Sequence, residues 1–471
     1  MYHIFKTELN RKLKNPVLWI MILIITVLLY INIERSYESN EFDNILKYDP
    51  AIIYDDEETR VTDAYKEEIF GKNYEEYNTR YPGWDTPSFY EIKLDNYGKY
   101  REAYYDNDFK EKGRIESFRT LLDANYYTQA PDNRDGELSK YICEIANNEL
   151  WHKVSGGIKH EDINFASNRE ATGVYPYLYN IIRSIFDARY YHYLSSNNLD
   201  YIESNAYIEF NNLYVLYNWI TEIIPILVVF VTILLSYDLI NKDIKEGSTK
   251  LIITQSIPRW KYYIGKFFAS LIIVLFVIML PLTISNIYLK FNVKSQPINY
   301  PIVYDNQGLK KIKPSFNYME ENLEKYGRYE YKAFYKIPYS KANVYEGQLF
   351  VPLYQRNTDL IGFDKFLLLT FFYNLLFIMF IIAFVQLISS IFNNVIISLF
   401  ATVGIYGGFY YLFRPFLHGK HYNLCPFTMN NGARIVAGTH NVTMLTATII
   451  LISSTILFLV IGLKYFKIKE I

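Results

Sequence analysis

The sequence predicts an all-α membrane protein with six transmembrane helices and two polar inserts, and three observations lead to this fold class. First, apolar residues are concentrated in runs of roughly 20 residues, the length that a helix needs to cross a bilayer. Second, hydrophobic residues make up 51% of the 471 residues, which excludes a disordered chain. Third, basic residues cluster beside alternate ends of the runs. A wholly soluble enzyme is thereby excluded, and the formal net charge of −1 excludes a strongly basic nucleic-acid-binding protein.

The first apolar run, Pro16 to Ile33, follows a basic segment of the kind that also begins a secretory signal peptide. No small-residue cleavage site follows it, so we predict an uncleaved membrane helix. Five further runs predict membrane helices over Asn218–Ile240, Ile264–Leu289, Phe366–Phe392, Val395–Phe413 and Val442–Phe466. A tight hairpin at Asn393 and Asn394 is expected between the fourth and fifth helices.

The two polar inserts differ in their predicted structure. The first, residues 34–216, is acidic, and about 180 residues suffice for a core of its own. Its apolar residues recur every three or four positions, which predicts helices over Ala64–Tyr77, Ser88–Leu122, Leu138–Val154 and Tyr177–Leu194. The second insert, residues 290–363, is predicted to be a smaller mixed α/β unit, with strands at Ile298–Tyr304 and Gly347–Tyr354 and a helix at Asn317–Tyr326.

The positions of Lys and Arg predict the orientation in the membrane. They gather in the N-terminal segment, in the connection 241–263 and in the C-terminal tail, and such residues favour the cytoplasmic side. Both termini are therefore predicted to be cytoplasmic and both inserts extracellular. The predicted units are residues 1–33, 34–216, 217–289, 290–363 and 364–471.

The connection 241–263 between the second and third helices has the most informative local pattern. Gly247 permits a turn, and Ser248 or Thr249 can cap a helix that begins there. Pro258 would end that helix. The basic side chains that follow, Arg259 and Lys266 among them, are expected at the depth of the lipid headgroups. An ordinary cytoplasmic connector rich in Gly, Pro and basic residues remains the alternative.

This pattern resembles the permease subunits of type-2 ABC exporters, the ABC-2 type transporter superfamily. The residues that carry the resemblance or belong to the same loop are Lys245, Glu246, Gly247, Ser248, Thr249, Leu251, Pro258, Arg259, Gly265 and Lys266. The resemblance implies that they form an elbow that docks onto an ABC ATPase, which works as a dimer. It also implies a second permease copy or a related permease, contact with membrane lipid, and a bacterial cytoplasmic membrane. The large inserts depart from compact members of the family and put the cargo in doubt.

No nucleotide-binding motif is present in the sequence. The segments Gly71-Lys72, Gly265-Lys266 and Gly419-Lys420 do not fit the phosphate-binding loop of ATPases. We therefore expect no enzymatic activity, no catalytic residues and no cofactor in this chain, and expect ATP and Mg to bind the partner ATPase. The seven histidines lack metal-ligand spacing, so no metal site is predicted.

Three polar residues within the predicted helices are candidates for a transport pathway. Ionisable groups in membrane helices are costly and often functional, which singles out Glu222. Asn374 and Gln386 are further candidates, with hydrogen bonding between helices as the alternative. For residues 414–441 the resemblance implies a re-entrant pair of short helices, and an ordinary surface loop is the alternative. Whether Cys143 and Cys425, both predicted outside, form a disulfide is left open.

Three functions are compatible with these patterns. The first is the permease subunit of an ATP-driven exporter for a peptide, lipid-like or antimicrobial compound, as the resemblance implies. The second is a cell-envelope scaffold or receptor-like membrane protein with one helix, a large outer domain and five helices, which needs no ATPase. A membrane-bound hydrolase with its site in the outer domain is a third reading, although no Gly-x-Ser-x-Gly elbow is present.

Overall fold

The computed structural model describes residues 2–43, 89–128, 140, 143–163, 178–200, 210–245, 247, 258–293, 295–305, 358–413, 424–437, 440 and 442–468. Within these ranges, six helices are long and apolar enough to cross a membrane. They are Pro16–Tyr37, Asn212–Lys245, Arg259–Asn292, Phe363–Ile391, Val395–Phe413 and Met444–Ile468. The prediction of six transmembrane helices is confirmed, and each predicted run overlaps one span.

The chain begins with a short helix that precedes the first span. Helix α1 (Tyr2–Leu13) is separated from α2 (Pro16–Asp43) by a break at Asn15. Pro16 suits the first position of α2 because its missing N–H would have no partner in the helix. The Asn15 side-chain oxygen accepts a hydrogen bond from the backbone N–H of Val17 at 3.1 Å and caps the helix. Both α1 and α2 pack against the third span.

The second span is interrupted by a π-helical turn. It consists of α6 (Asn212–Asn218), the π turn Trp219–Ile223, α7 (Ile224–Ser236) and, after a turn, α8 (Asn241–Lys245). Pro225 has no N–H to donate to the carbonyl of Thr221. The Asn431 side chain donates to that carbonyl instead, at 2.8 Å. The irregular turn is therefore stabilised by a residue more than two hundred positions away in the chain.

The fourth span lies at the centre of the bundle. The third span is α9 (Arg259–Asn292) and the fourth is α10 (Phe363–Ile391). Helix α10 packs against the second, third, fifth and sixth spans. The chain then reverses at Asn393 and Asn394, where Asn394 caps α11 (Val395–Phe413) through a 2.9 Å bond from the N–H of Ile396. This short reversal is the predicted hairpin. The last two helices are α12 (Gly432–Val436) and α13 (Met444–Ile468), the sixth span.

The described part of the first insert is helical. It contains α3 (Phe89–Tyr105), α4 (Phe109–Thr128) and α5 (Leu178–Ser196), and α4 packs along α5. The prediction of one helix over Ser88–Leu122 is wrong, because the chain breaks between α3 and α4. Asn107 adopts a positive φ of 54° there, and Asp108 caps α4 by accepting from the N–H of Glu111 at 3.0 Å.

The other helices predicted for this insert have mixed outcomes. The helix predicted over Tyr177–Leu194 is confirmed as α5. The one predicted over Leu138–Val154 is described at residue 140 and from Cys143 onward, and it contains a π turn, Asn147–Trp151, followed by the helical turn His152–Val154. The helix predicted at Ala64–Tyr77 lies outside the described residues.

The described part of the second insert is a two-stranded antiparallel ribbon. Strand β1 (Pro301–Asp305) pairs with β2 (Thr358–Gly362), with Pro301 opposite Gly362. The first of the two predicted strands overlaps β1. The predicted strand Gly347–Tyr354 and helix Asn317–Tyr326 lie outside the described residues. The ribbon leads directly into α10 and contacts the first insert through Tyr193, whose hydroxyl donates to the Asn299 carbonyl at 3.3 Å.

The two ends of the bundle thus carry different structures. One end holds α1, α8, the start of α9 and the end of α13, and we call it the loop side. The other holds α3, α4, α5 and the ribbon, and we call it the insert side. Helix α1 reaches α8 through Arg11 and Asp243, and α9 reaches the end of α13 through Arg259 and Lys467.

Candidate functional site

The connection between α8 and α9 begins with a turn that requires glycine. Lys245 ends α8 with an exposed side chain. Gly247 is also exposed and has a φ of 74°, and its N–H donates to the Ile244 carbonyl at 3.2 Å. Glycine adopts this left-handed conformation without steric cost, whereas a residue with a Cβ does not. The expected turn at Gly247 is confirmed, while Glu246, Ser248, Thr249 and Leu251 lie outside the described residues.

The connection ends at Pro258, which caps α9. Its carbonyl accepts from the N–H groups of Lys261 and Tyr262 at 2.9 and 3.3 Å. The next residue, Arg259, donates to the carbonyls of Phe466 and Lys467 at 3.3 and 2.7 Å. A cation at these last carbonyls also interacts favourably with the helix dipole of α13. The far end of the connection is therefore fastened to the sixth span.

Lys266 lies inside the protein. Its side chain is 2% exposed, and its Nζ atom donates to the Leu239 carbonyl at 2.8 Å. The same atom pairs with the carboxylate of Asp243 and lies 3.3 Å from Oε2 of Glu8. Lys266 is thus buried between helices, and its expected depth at the lipid headgroups stays a prediction. A lysine ammonium can be buried here because two carboxylates and a carbonyl replace its hydration shell. The preceding residue of the matched pattern, Gly265, is also buried.

A second cation completes an ion cluster formed by Glu8, Arg11, Asp243, Tyr262 and Lys266. Arg11 donates to Asp243 at 2.6 Å and to Glu8 at 2.8 Å, and the Tyr262 hydroxyl donates to Asp243. Burial lowers the pKa of Arg11, but the two carboxylates outweigh it and raise that pKa above its ordinary value. Two carboxylates thus face two cations, and the cluster joins α1, α8 and α9.

Lys12 adds a second tie between α1 and the second span. Its Nζ atom donates to the Leu235 carbonyl at 2.8 Å and to the Asp238 carboxylate at 3.2 Å. Arg11 and Lys12 therefore hold the N-terminal helix against the end of the second span, and Glu8 ties it to Lys266 at the start of the third. The Lys12 and Asp238 side chains are only 10% and 14% exposed, so removing one partner of this pair costs several kcal/mol. We conclude that α1 is an integral part of the loop side.

The ion cluster was not recognised from the sequence, although two signals for it are present. Lys266 lies in an apolar run, where an ionisable residue needs a partner of opposite charge. Glu8 and Arg11 are three residues apart, which places them on one face of a helix. No sequence pattern identifies Asp243 as the shared partner, because Arg11 and Asp243 are 232 positions apart.

The three pathway candidates are not brought together. Glu222 lies on the π turn of the second span with an exposed side chain. Gln386 is fully buried near the loop side and donates to the Tyr263 carbonyl at 2.7 Å, which links α10 to α9. Asn374 lies on α10 about 18 Å from Gln386, at 1.5 Å per residue. Its side-chain oxygen accepts from the N–H of Gly432 at 3.1 Å.

Asn374 also lines a cavity of about 280 Å³ between the second, third and fourth spans. Most of its walls are apolar, and they include Trp219, Val228, Leu275 and Ile378. Of the three pathway candidates, Asn374 is the one whose side chain lines this cavity. The arrangement can bind an apolar molecule, whereas the ion cluster can transmit a displacement from the connection to the spans.

The described part of the segment between the fifth and sixth spans is packed into the bundle. The 3₁₀ turn Pro426–Thr428 and α12 contain buried Phe427 and Ile435. Asn431 caps α12 through the N–H of Arg434 at 3.1 Å and holds Thr221 at the π turn. The described residues thus contain two short helical turns that pack into the bundle, whereas the re-entrant course that the resemblance implies for residues 414–441 stays a prediction.

The two cysteines do not form a disulfide with each other. The thiol of Cys143 is buried beside the Ala124 carbonyl, and burial raises its pKa to about 12. A thiol with so high a pKa is mostly protonated at neutral pH and is a weak nucleophile.

A family described as ABC-2 family transporter protein matches residues 2–468. The match includes all six spans and both inserts. No curated protein and no solved structure matches the chain.

Proposed function

The chain belongs to the ABC-2 transporter family, and on that premise we propose that it is the permease subunit of an ATP-driven exporter. It is a multi-pass membrane protein that works with an ABC ATPase. In our proposal it moves a peptide, lipid-like or antimicrobial compound across the bacterial cytoplasmic membrane. ATP and Mg bind the partner ATPase, whose dimer acts on two permease subunits, and the present chain hydrolyses nothing itself.

The loop side is the cytoplasmic side in this proposal. The exposed Lys245 and the partly exposed Lys261 support it, because basic residues beside short connections stay in the cytoplasm. The test uses single cysteines in a chain without Cys143 and Cys425. An impermeant thiol reagent should label Lys99→Cys on intact cells, since the Lys99 side chain is 51% exposed. Labelling of Lys245→Cys in the same cells would reverse the orientation and remove the proposed docking site.

One observation carries the coupling proposal: both ends of the connection are fastened to membrane spans. At its start, the ion cluster links Asp243 to α1 and α9. At its end, Arg259 binds the last turn of α13. A partner that pushes on the connection would therefore move three spans and the N-terminal helix together. Alternating access follows if ATP binding closes the ATPase pair and the connection transmits this movement.

The experiment perturbs the turn at Gly247. Gly247→Val places a β-branched residue at a φ of 74°, which costs about 1 kcal/mol or more and displaces the connection. The matched control is Gly157→Val, because Gly157 is exposed, has a φ of 95° and lies in the first insert. We expect Gly247→Val to lower both the amount of co-purified ATPase and its hydrolysis rate in nanodiscs, with normal amounts of permease in the membrane.

Two further variants separate charge from shape. Glu246→Lys reverses a charge beside the turn. Lys467→Glu reverses one in the last turn of α13, where the backbone carbonyl and not the exposed side chain binds Arg259, so we expect a much smaller effect. If Gly247→Val and Glu246→Lys both keep normal ATPase association and hydrolysis, the connection does not couple. The scaffold or receptor-like function, which needs no ATPase, would then be the better explanation.

A further inference from the structure

The apolar cavity lies in the half of the bundle nearer the insert side. Its wall residues come from the beginning of the second span, the end of α9 and the beginning of α10. At 1.5 Å per residue, Thr370 is about 11 Å and Ile378 about 23 Å from the insert-side end of α10. The hydrocarbon core of a bilayer is about 30 Å thick. The cavity therefore lies at the depth of the acyl chains in one leaflet.

The cavity opens toward the lipid between α9 and α10. Thr283, Asn286 and Phe371 line it and have exposed side chains, so they form its rim. Apolar residues beside the rim are also exposed on the surface of the bundle, among them Ile287 at 54% and Leu368 at 69%. In a membrane this surface contacts hydrocarbon, so a lipid chain can enter sideways without crossing water.

Polarity changes along the cavity in one direction. The groups nearer the insert side include the polar side chains of Thr283, Asn286 and Thr370, and the deeper groups include Ile278 and Ile378. An ester-linked acyl chain has the same order, with a polar carbonyl above and methylene groups below. A small polar solute would find no hydrogen-bond partner beside the deep apolar walls, and a pure hydrocarbon would leave the Thr370 hydroxyl unpaired.

One polar group of the cavity has no hydrogen-bond partner in the described part of the chain. The Thr370 side chain is 1% exposed, and its hydroxyl has no hydrogen-bond partner among the described residues. Leaving a buried hydroxyl unpaired costs about 1–3 kcal/mol, and such groups in native proteins require an explanation. A bound carbonyl oxygen at this level would accept from Thr370 and remove the cost.

The wall behind Thr370 is held in place by α12. A Cβ atom added at Gly432 would lie 2.7 Å from the Thr370 carbonyl oxygen and 2.8 Å from Oδ1 of Asn374. The Gly432 N–H also binds that Asn374 oxygen. The cavity wall is therefore tightly packed from the outside and cannot easily collapse into the space, which favours a preformed site.

We propose that this cavity binds the acyl chain of a lipid from the leaflet on the insert side, with a carbonyl oxygen hydrogen-bonded to Thr370. The bound lipid is either a resident membrane lipid or a lipid-like cargo, since both present an ester- or amide-linked chain. The inference rests on the membrane placement of the spans and does not depend on ATPase docking. It can therefore be tested when the proposed coupling fails.

Trp219 provides the readout because it lines the cavity and is 1% exposed. Its indole N–H donates to the Asn32 side chain at 3.1 Å, which fixes the ring. The full chain is prepared with Trp219 as its single tryptophan and titrated in detergent with phosphatidylcholine brominated along its acyl chains. Bromine quenches tryptophan only at short range. We expect saturable quenching of Trp219, and non-saturating quenching of the lipid-facing Trp19 in the corresponding single-tryptophan chain.

Two matched threonines test the hydrogen bond. Thr370→Val removes the hydroxyl that the proposal uses. Thr402→Val removes an equally buried hydroxyl, also without a partner among the described residues, from α11 and outside the cavity lining. Losing one hydrogen bond should raise the lipid concentration for half-quenching about three- to tenfold for Thr370→Val. Thr402→Val should leave it unchanged, and neither change should lower the stability of lipid-free protein in detergent.

Filling the cavity is a second test. Leu282→Phe adds volume at a partly exposed lining residue of α9, whereas Ile287→Phe adds it on the lipid-facing side of the same helix. Leu282→Phe should weaken saturable quenching and Ile287→Phe should not.

Failure of saturable quenching at Trp219 while Trp19 is quenched would overturn the site, as would equal effects of the two threonine variants. Adding the co-purified ATPase and ATP distinguishes the sources, because a cargo is released on hydrolysis and a resident lipid is retained.

Discussion

Removal of the Lys266 ammonium group tests whether the ion cluster holds the loop side together. Lys266→Met keeps the length of the side chain and removes its charge. The change leaves Glu8 and Asp243 with Arg11 as the remaining cation of the cluster, so one buried carboxylate loses its counter-charge. It also removes the donor to the Leu239 carbonyl. Breaking a buried ion pair from one side costs about 3–5 kcal/mol, and we expect that loss in the free energy of unfolding.

The assay is unfolding of the purified chain in mixed micelles with an increasing fraction of SDS. Lys245→Met is the matched control, because Lys245 is exposed at the end of α8 and should change the free energy by less than about 0.5 kcal/mol. A double variant, Lys266→Met with Asp243→Asn, restores charge balance. It should cost about 0.5–3 kcal/mol less than the sum of the single variants.

Two results would refute the reasoning about the cluster. One is a Lys266→Met effect no larger than that of Lys245→Met, which would mean that the ammonium group is hydrated in the folded protein. The other is strict additivity in the double variant, which would mean that Lys266 and Asp243 do not interact. Either result would also weaken the proposal that the connection moves together with α1 and α9.

Two predictions concern the first insert. Gly113→Ala places a Cβ 2.8 Å from the backbone nitrogen of Ser195 and 2.9 Å from the carbonyl oxygen of Tyr191. It should destabilise the insert by about 1–3 kcal/mol through overpacking, measured by hydrogen exchange in α4 and α5. The control is Gly98→Ala in α3, where the added Cβ meets nothing within 4 Å, and this change should be neutral or stabilising by about 0.5–1 kcal/mol. Equal protection of the backbone amides from hydrogen exchange in the two variants would contradict the packing argument. The second prediction is for His160, where burial lowers the pKa below its ordinary 6.5. Because the pKa of His160 is lower in the folded state than in the unfolded state, protonation of this side chain favours unfolding. Its contribution to the free energy of unfolding is therefore kept above pH 6.5 and is lost as the pH falls through the folded-state pKa. His160→Gln should reduce this pH dependence of hydrogen exchange in residues 89–163, and a wild-type insert that becomes more protected on acidification would show the opposite sign.

The fold class was predictable because a bilayer imposes a length and composition on every span. The span Val395–Phe413 begins and ends at the predicted residues. Each of the other five spans differs from its predicted range mainly at the ends. The second span begins at Asn212 and not at Asn218 because Asn211 caps the helix there, its side chain accepting from the N–H groups of Leu213 and Tyr214. Asn212 is stabilised there by a 3.1 Å bond to the Gln296 carbonyl in another part of the chain.

Local periodicity was a weaker guide in the first insert. It predicted one helix where the structure has α3 and α4, because apolar spacing continues across the break. Asn107 and Asp108 make that break through a positive φ and a cap, and either residue is also tolerated inside a helix. The β1 strand was predicted, but its partner β2 was not, since pairing depends on a segment more than fifty positions away.

The sequence by itself determined the six spans, the two inserts and the glycine turn at Gly247, because length, hydrophobicity and backbone freedom are local properties. Tertiary structure alone decided the partners of the buried polar groups. The sequence shows a lysine at position 266, but folding brings Glu8 and Asp243 to its ammonium group. It likewise shows a proline at position 225, but folding brings Asn431 to the carbonyl that the proline leaves unpaired. Buried charges and carbonyls must be paired whatever their distance along the chain, and that pairing is set by the packing of the helices.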